Sequence, residues 1–143
     1  MTSTPIPAPA SDTVPSRVGV LGGGRMGGGI AHAFILAGAY VVVVERDVAS
    51  ADAARERIEA SIDASIARGF EGDAAQLKQA LTVAIDVPAL GACRPGIEAV
   101  PESLDLKLDA LTAIEQQLPG DAVIASNTSS IPLSQLAEAL DRP

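Results

Sequence analysis

Short apolar runs alternate with amphipathic stretches along this chain, a pattern that predicts strands and helices in succession. Arg17–Leu21 reads as the first strand and Arg25–Ala37 as the first helix, with Gly38 placed to end it in a left-handed cap. Tyr40–Val44 is a tyrosine followed only by valines, β-branched and uninterrupted, as a strand buried on both faces requires. From Ser50 to Gly69 the pattern turns helical. Ala53, Ile58, Ile62 and Ile66 fall close to one face, with Arg55, Arg57, Glu59 and Asp63 around the other sides. Gly72-Asp73 opens a shorter helix running to Ala80, so a helical hairpin separates the second strand from the third, Leu81–Ile85. Pro88–Gly96 reads as a loop and Ile97–Val100 as a short fourth strand, which Pro95, lacking an N–H, is expected to delay. A helix at Leu104–Leu118, with Leu108, Leu111 and Ile114 inward, leads to a fifth strand at Ala122–Ser126 and a last helix at Pro132–Leu140. The alternation predicts an α/β fold with a doubly wound, right-handed parallel sheet and a helical-hairpin insertion after the second strand.

The link between the first strand and first helix carries the chemistry. Gly22-Gly23-Gly24-Arg25-Met26-Gly27 is G-x-G-x-x-G set between a strand and a helix, the Rossmann-like dinucleotide-binding fingerprint. Gly22 allows the tight turn, Gly24 lets backbone approach a pyrophosphate, and Gly27 lets the helix sit close to the strand. The helix N-terminus then offers free N–H groups to phosphate. Glu45 closes the second strand 18 residues after Gly27, where this fold hydrogen-bonds the adenosine ribose. A carboxylate there repels a 2′-phosphate, so NAD is expected rather than NADP, a preference that the adjacent Arg46 could soften. Asn127-Thr128-Ser129-Ser130 lies past the carboxyl end of a predicted strand, where open α/β sheets bind ligands. The same residue types before a helix are ordinary N-caps, and the residues alone leave both readings open.

Composition narrows the picture further. Hydrophobic residues make up 48% of the 143 but aromatics only 2%, so one domain's core must be built from Ala, Val, Ile and Leu. A net charge of −8 argues against nucleic acid or an anionic membrane as partner. The single cysteine, Cys93, excludes an intrachain disulfide framework and a cysteine zinc cluster, and no metal site is expected. No apolar run approaches the ~18 residues of a membrane span. A cytoplasmic protein is expected. Residues 1–16 are rich in Pro, Ser, Thr and Ala without periodicity and read as a disordered tail before a domain spanning 17–143.

Four stretches in this order resemble one family: Val18–Ala31 with the glycine turn, Glu45, Glu98-Ala99-Val100-Pro101-Glu102, and Ser126-Asn127-Thr128-Ser129-Ser130. The set is similar to the N-terminal domain of the L-3-hydroxyacyl-CoA dehydrogenases, including the 3-hydroxybutyryl-CoA type. The resemblance implies oxidation of L-3-hydroxyacyl-CoA to 3-oxoacyl-CoA with hydride transfer to NAD, in fatty acid metabolism. It implies that Gly22, Gly24, Arg25, Met26 and Gly27 cradle the pyrophosphate, that Glu45 holds ribose, and that Glu98 and Ser103 lie at the cofactor. Ser129 would contact substrate and nicotinamide together, and Ser61 and Arg68 would touch coenzyme A.

The family's catalytic histidine and its orienting glutamate lie in a stretch that this sequence does not match, and its C-terminal helical domain is likewise absent from these residues. The one histidine, His32, is expected to pack or face solvent. An acyl-CoA substrate is implied, with a separate C-terminal dehydrogenase domain or a homo-oligomer as partner, and feeble activity of the chain alone. The alternative is a non-catalytic NAD-binding module.

Overall fold

The computed structural model describes residues 15–138 and 140–141. Of the tail expected over residues 1–16, residues 1–14 lie outside the described residues, as does position 139 of the last predicted helix, while the Ser16 carbonyl accepts from Tyr40 N–H at 2.9 Å beside β1. The chain runs β1 (Arg17–Leu21), α1 (Arg25–Leu36), β2 (Tyr40–Val44), α2 (Val48–Ala67), α3 (Ala74–Gln79) and β3 (Leu81–Ala84). A 3₁₀ turn at Val87–Leu90 leads to β4 (Gly96–Glu98), α4 (Leu104–Gln117), β5 (Ile124–Ser126) and α5 (Leu133–Ala137). The five strands form one sheet in the order β3-β2-β1-β4-β5, parallel at every pairing. This is the doubly wound α/β architecture that the alternation predicted.

The valine run of β2 is divided between two cores. Val41 and Val43 point into one with Val18, Val20, Ala31, Ile35, Ile58 and Ile62, under α1 and α2. Val42 and Val44 point the other way, against Leu90, Cys93, Ile114 and Leu118. Branched aliphatics suit this because successive strand residues face opposite layers, and both layers are covered. Gly19 of β1 makes room for the second layer, since a Cβ there would lie 2.8 Å from a Leu90 methyl. Gly38 and Gly69 end α1 and α2 at φ of 104° and 106°, as helix-stopping glycines do.

The boundaries moved where side chains take over backbone bonds. The α2 helix starts at Val48 rather than Ser50 because Asp47 caps it, accepting from Ser50 N–H at 2.7 Å. Its buried stripe is Ala51, Ala54, Ile58 and Ile62, and Ala53, expected inward, is exposed. The strand β4 begins directly after Pro95 and ends at Glu98 rather than Val100, because the Glu98 carboxylate takes the Val100 N–H at 2.9 Å.

Helix α4 buries Lys107 with Ala110, Leu111 and Ile114, while Leu108 is half-buried. Lys107 Nζ lies 2.7 Å from Glu98 Oε2, with the two side chains 1% and 0% exposed. It also donates to the Val100 carbonyl at 3.1 Å, and the Ser126 hydroxyl donates to the other Glu98 oxygen. The pair thereby joins α4, β4 and β5. Removing one partner leaves an uncompensated buried charge, which costs far more than the pair itself contributes. Lys107→Met is expected to lose about 3–5 kcal/mol in chemical denaturation. Adding Glu98→Gln should recover much of that loss, and equal stability of Lys107→Met and wild type would refute the pairing.

Candidate functional site

A cleft of about 860 Å³ opens over the carboxyl ends of the strands. Strand order reverses between β1 and β4, and crevices at such a reversal are where open α/β sheets take ligands. Its walls come from the glycine turn after β1, Glu45 and Arg46 after β2, Ala99 to Glu102 after β4, and Asn127 to Ser129 after β5.

The turn is held by steric and polar constraints together. Gly22 has φ of 105°, and a Cβ there would lie 2.7 Å from the Ala99 carbonyl oxygen. A Cβ on Gly27 would lie 1.9 Å from the Gly22 oxygen, so α1 cannot pack here with any other residue. Gly24 differs, since its Cβ would meet nothing within 4 Å. Both polar backbone atoms of Gly23 are pinned: its N–H donates to Glu45 Oε2 at 2.6 Å, and its carbonyl accepts from Arg57 Nη1 at 2.6 Å. Helix α1 starts at Arg25 with no side-chain cap and no acidic residue in its first turn. An uncapped helix N-terminus with a bare glycine before it fits a phosphate, and the nearby Glu45 fits a ribose. Exposed Arg25 and Met26 border the same space.

At the far wall, Glu102 gathers the hydrogen bonds of the Asn-Thr-Ser-Ser stretch. Its Oε2 accepts from Thr128 Oγ1 at 2.8 Å, from Ser129 N–H at 3.2 Å, and from Ser130 N–H at 2.9 Å and Oγ at 2.5 Å. Thr128 Oγ1 in addition accepts from Ile131 N–H at 3.1 Å, a turn within the loop rather than a helix cap, since α5 has Pro132 as its N-cap and no side-chain cap. Thr128 and Ser130 therefore spend their hydroxyls inside the protein. Ser129 gives only its backbone N–H, and among the described residues its exposed hydroxyl has no partner.

Other residues singled out from the sequence lie elsewhere. Glu98 is fully buried, so its carboxylate does not border the cleft. The Ser103 hydroxyl accepts from Leu106 N–H at 3.4 Å as the N-cap of α4. Ser61 donates to the Arg57 carbonyl within α2, and Arg68 is the exposed C-cap of that helix. His32 Nε2 lies 2.9 Å from Ser65 Oγ, between α1 and α2. Among the described residues no cluster of metal-ligating side chains occurs, and no helix is long and apolar enough to cross a membrane.

Sequence reading missed Arg57, Glu102 and Lys107. Arg57 looked like one more solvated helix charge. Lys107 carried a signal, since it sits four and seven residues before Leu111 and Ile114 on the apolar stripe of α4.

The Ser130 hydroxyl, then the Thr128 hydroxyl, hold the Glu102 carboxyl down to about 2, from an ordinary value of 4.5. A lowered folded-state value contributes stability above the unfolded value, which is lost as pH falls through the folded one. The melting-temperature gap between wild type and Glu102→Gln is therefore expected to be widest above pH 4.5 and to close toward pH 2. A gap independent of pH would contradict these hydrogen bonds.

Known proteins resemble this chain in sequence and in fold. A family model described as "3-hydroxyacyl-CoA dehydrogenase, NAD binding domain" matches residues 17–143. A 3-hydroxybutyryl-CoA dehydrogenase of Mycobacterium tuberculosis is 37% identical over 136 residues, 93% of this chain and 47% of that protein. Among solved structures, FadB2 of M. tuberculosis superposes with a TM-score of 0.85 at 35% identity, covering 90% of this chain and 46% of that one. A (S)-3-hydroxybutyryl-CoA dehydrogenase from Ralstonia eutropha does so with a TM-score of 0.84 at 32% identity, covering 90% and 46%. The chain thus spans about half the length of the curated relatives it matches. With the glycine turn, Glu45 and the Ser129 loop set around one cleft, the chain belongs to the NAD-binding domain family of the 3-hydroxyacyl-CoA dehydrogenases.

Proposed function

We propose that this chain is the NAD-holding part of an L-3-hydroxyacyl-CoA dehydrogenase, oxidising the C3 hydroxyl of an acyl-CoA substrate to the 3-oxo product in fatty acid metabolism. One observation supports this most strongly: an uncapped glycine turn with Glu45 and an unspent Ser129 hydroxyl border the same cleft. NAD, when bound, supplies the hydride acceptor. Gly24, Arg25, Met26 and Gly27 hold the pyrophosphate by the backbone N–H groups and positive dipole end at the start of α1, and Gly22, whose own N–H donates to the Val44 carbonyl at 2.9 Å, makes the turn that brings them there. Glu45 uses its remaining lone pairs for the ribose hydroxyls while keeping the turn in place.

Ser129 donates to the nicotinamide carboxamide or to the substrate's C3 oxygen. Glu98 and Ser103 serve the site indirectly, the first by shaping the Ala99–Pro101 wall and the second by starting α4. Ser61 and Arg68 of α2 are proposed contacts for coenzyme A, the exposed guanidinium pairing with a phosphate. His32 faces Ser65, so the base for the hydroxyl proton comes from outside these residues. A partner domain or a second copy is proposed to meet the sheet at the β5 edge, where Val123 and Leu133 are 68% and 65% exposed. The single buried Cys93 suits a reducing, cytoplasmic compartment. A non-catalytic NAD-binding module is the second reading, favoured by the position of His32, whose ring meets Ser65 between α1 and α2.

Saturating NAD should raise the melting temperature, since a ligand at ~100 times its Kd stabilises by about 2.7 kcal/mol. Gly24→Ala tests the turn with little structural cost, because its Cβ meets nothing within 4 Å. It should cost about 1 kcal/mol or less of stability at this N-cap, yet abolish the NAD shift. An undiminished shift in Gly24→Ala would contradict the proposed pyrophosphate site. Turnover of acetoacetyl-CoA with NADH by this chain alone would contradict the external base.

A further inference from the structure

Two glutamates, Glu98 and Glu102, hold the loop after β5 at its base and at its tip. Its base is tied to Glu98, whose carbonyl accepts from Asn127 N–H at 2.9 Å and whose carboxylate takes the Ser126 hydroxyl. Its tip is tied to Glu102, which takes donors from Thr128, Ser129 and Ser130 on one oxygen. Between the two carboxylates stands the buried Lys107 ammonium, 2.7 Å from Glu98 Oε2 and 3.4 Å from Glu102 Oε1. Two negative groups on one loop would otherwise repel each other, and a single buried cation removes that repulsion and fixes both. Glu102 is thus backed by a buried lysine with two further partners, Glu98 and the Val100 carbonyl, and it holds the loop in turn.

We propose that Glu102 is a positioning residue that holds the Ser129 hydroxyl toward the nicotinamide end of the cleft, with Lys107 as its anchor. The proposal rests on the reading of this cleft as an NAD site. The hydrogen-bond pattern gives Glu102 that specific task. It consumes the hydroxyls on either side of Ser129 and the Ser129 N–H, and of the three hydroxyls it leaves that of Ser129 for a ligand. Without the carboxylate, three hydroxyls at neighbouring positions compete for the same ligand atoms, and the loop loses its four shared contacts. The Glu102 carboxylate also borders the cleft itself, so loss of its grip is felt at the ligand rather than at a distant surface.

The test separates the two ends of the dinucleotide. ADP-ribose carries the adenosine and pyrophosphate that the glycine turn and Glu45 would hold, but lacks nicotinamide. Calorimetric Kd values for NAD and ADP-ribose are measured on wild type, Glu102→Ala, Glu102→Gln, Ser129→Ala and the Glu102→Ala/Ser129→Ala double variant of the full chain. Glu102→Ala should weaken NAD about 5-fold or more, the scale of one lost hydrogen bond, and leave ADP-ribose within about 2-fold. Glu102→Gln should restore part of the NAD affinity, because its amide oxygen still accepts from the Ser129 and Ser130 N–H groups.

If Glu102 acts through Ser129, adding Glu102→Ala to Ser129→Ala should change NAD affinity by less than about 2-fold, a non-additive cycle. Additive losses, or equal weakening of NAD and ADP-ribose in Glu102→Ala, would overturn the proposal and leave the NAD site standing. Wild-type protein that binds neither ligand would overturn the NAD reading and this proposal with it. Should Glu102→Ala fail to fold, Ser130→Ala, which removes a single contact to the carboxylate, carries the same comparison.

Discussion

The close approach of α1 to the end of β1 is the constraint that orders this molecule. Where a side chain at Gly27 would drive a carbon to within 1.9 Å of the Gly22 oxygen, two glycines let the helix start almost on top of the strand. That contact brings the helix N-terminus over the carboxyl edge of the sheet, and the cleft exists because of it. Glu45 and Arg57 then clamp the turn from β2 and α2, by way of the two polar atoms of Gly23. Steric necessity fixes where the helix begins, and hydrogen bonding fixes how the turn is oriented.

The opposite wall is built by charge rather than by close packing. A lysine buried at 1% exposure is costly unless it is paired, and here it meets one fully buried carboxylate and one that borders the cleft. The arrangement suits a position that must be both rigid and polar. Apolar packing would leave the loop after β5 without partners for its backbone N–H groups, whereas carboxylates satisfy those groups and leave the Ser129 hydroxyl over. The two walls are thus pre-organised by different physics, which lowers the ordering cost of any ligand between them.

Much of this was legible in the sequence. Uninterrupted apolar runs and period-3.6 stretches gave the alternation of strands and helices, because branched aliphatics in this chain do little besides fill two layers. The glycine turn and Glu45 were readable because backbone geometry demands glycine at those positions and the fold places an acidic residue at that distance. What could not be read was side-chain aim. Glu98 looked like a strand-end charge and is wholly enclosed, and Ser103 looked like a cofactor contact and caps a helix. Glu102 was visible only as part of a motif. Its role depends on contacts 26 to 28 residues away in sequence, which no local pattern encodes. Among Thr128, Ser129 and Ser130 the sequence offers three equivalent hydroxyls, and only the hydrogen bonds to Glu102 show which one is left over.

The central claim is that one cleft, spanning the glycine turn and the Ser129 loop, holds NAD. Backbone amide chemical-shift mapping of the isotope-labelled chain during an NAD titration tests it most directly. The account predicts saturable shifts concentrated at Gly22 to Gly27, Glu45, Val100, Glu102 and Asn127 to Ser130, with a second, apolar hollow beside β5, lined by Leu111, Ile124 and Leu136, unaffected. Shifts confined to that hollow, or none at millimolar NAD, would contradict it.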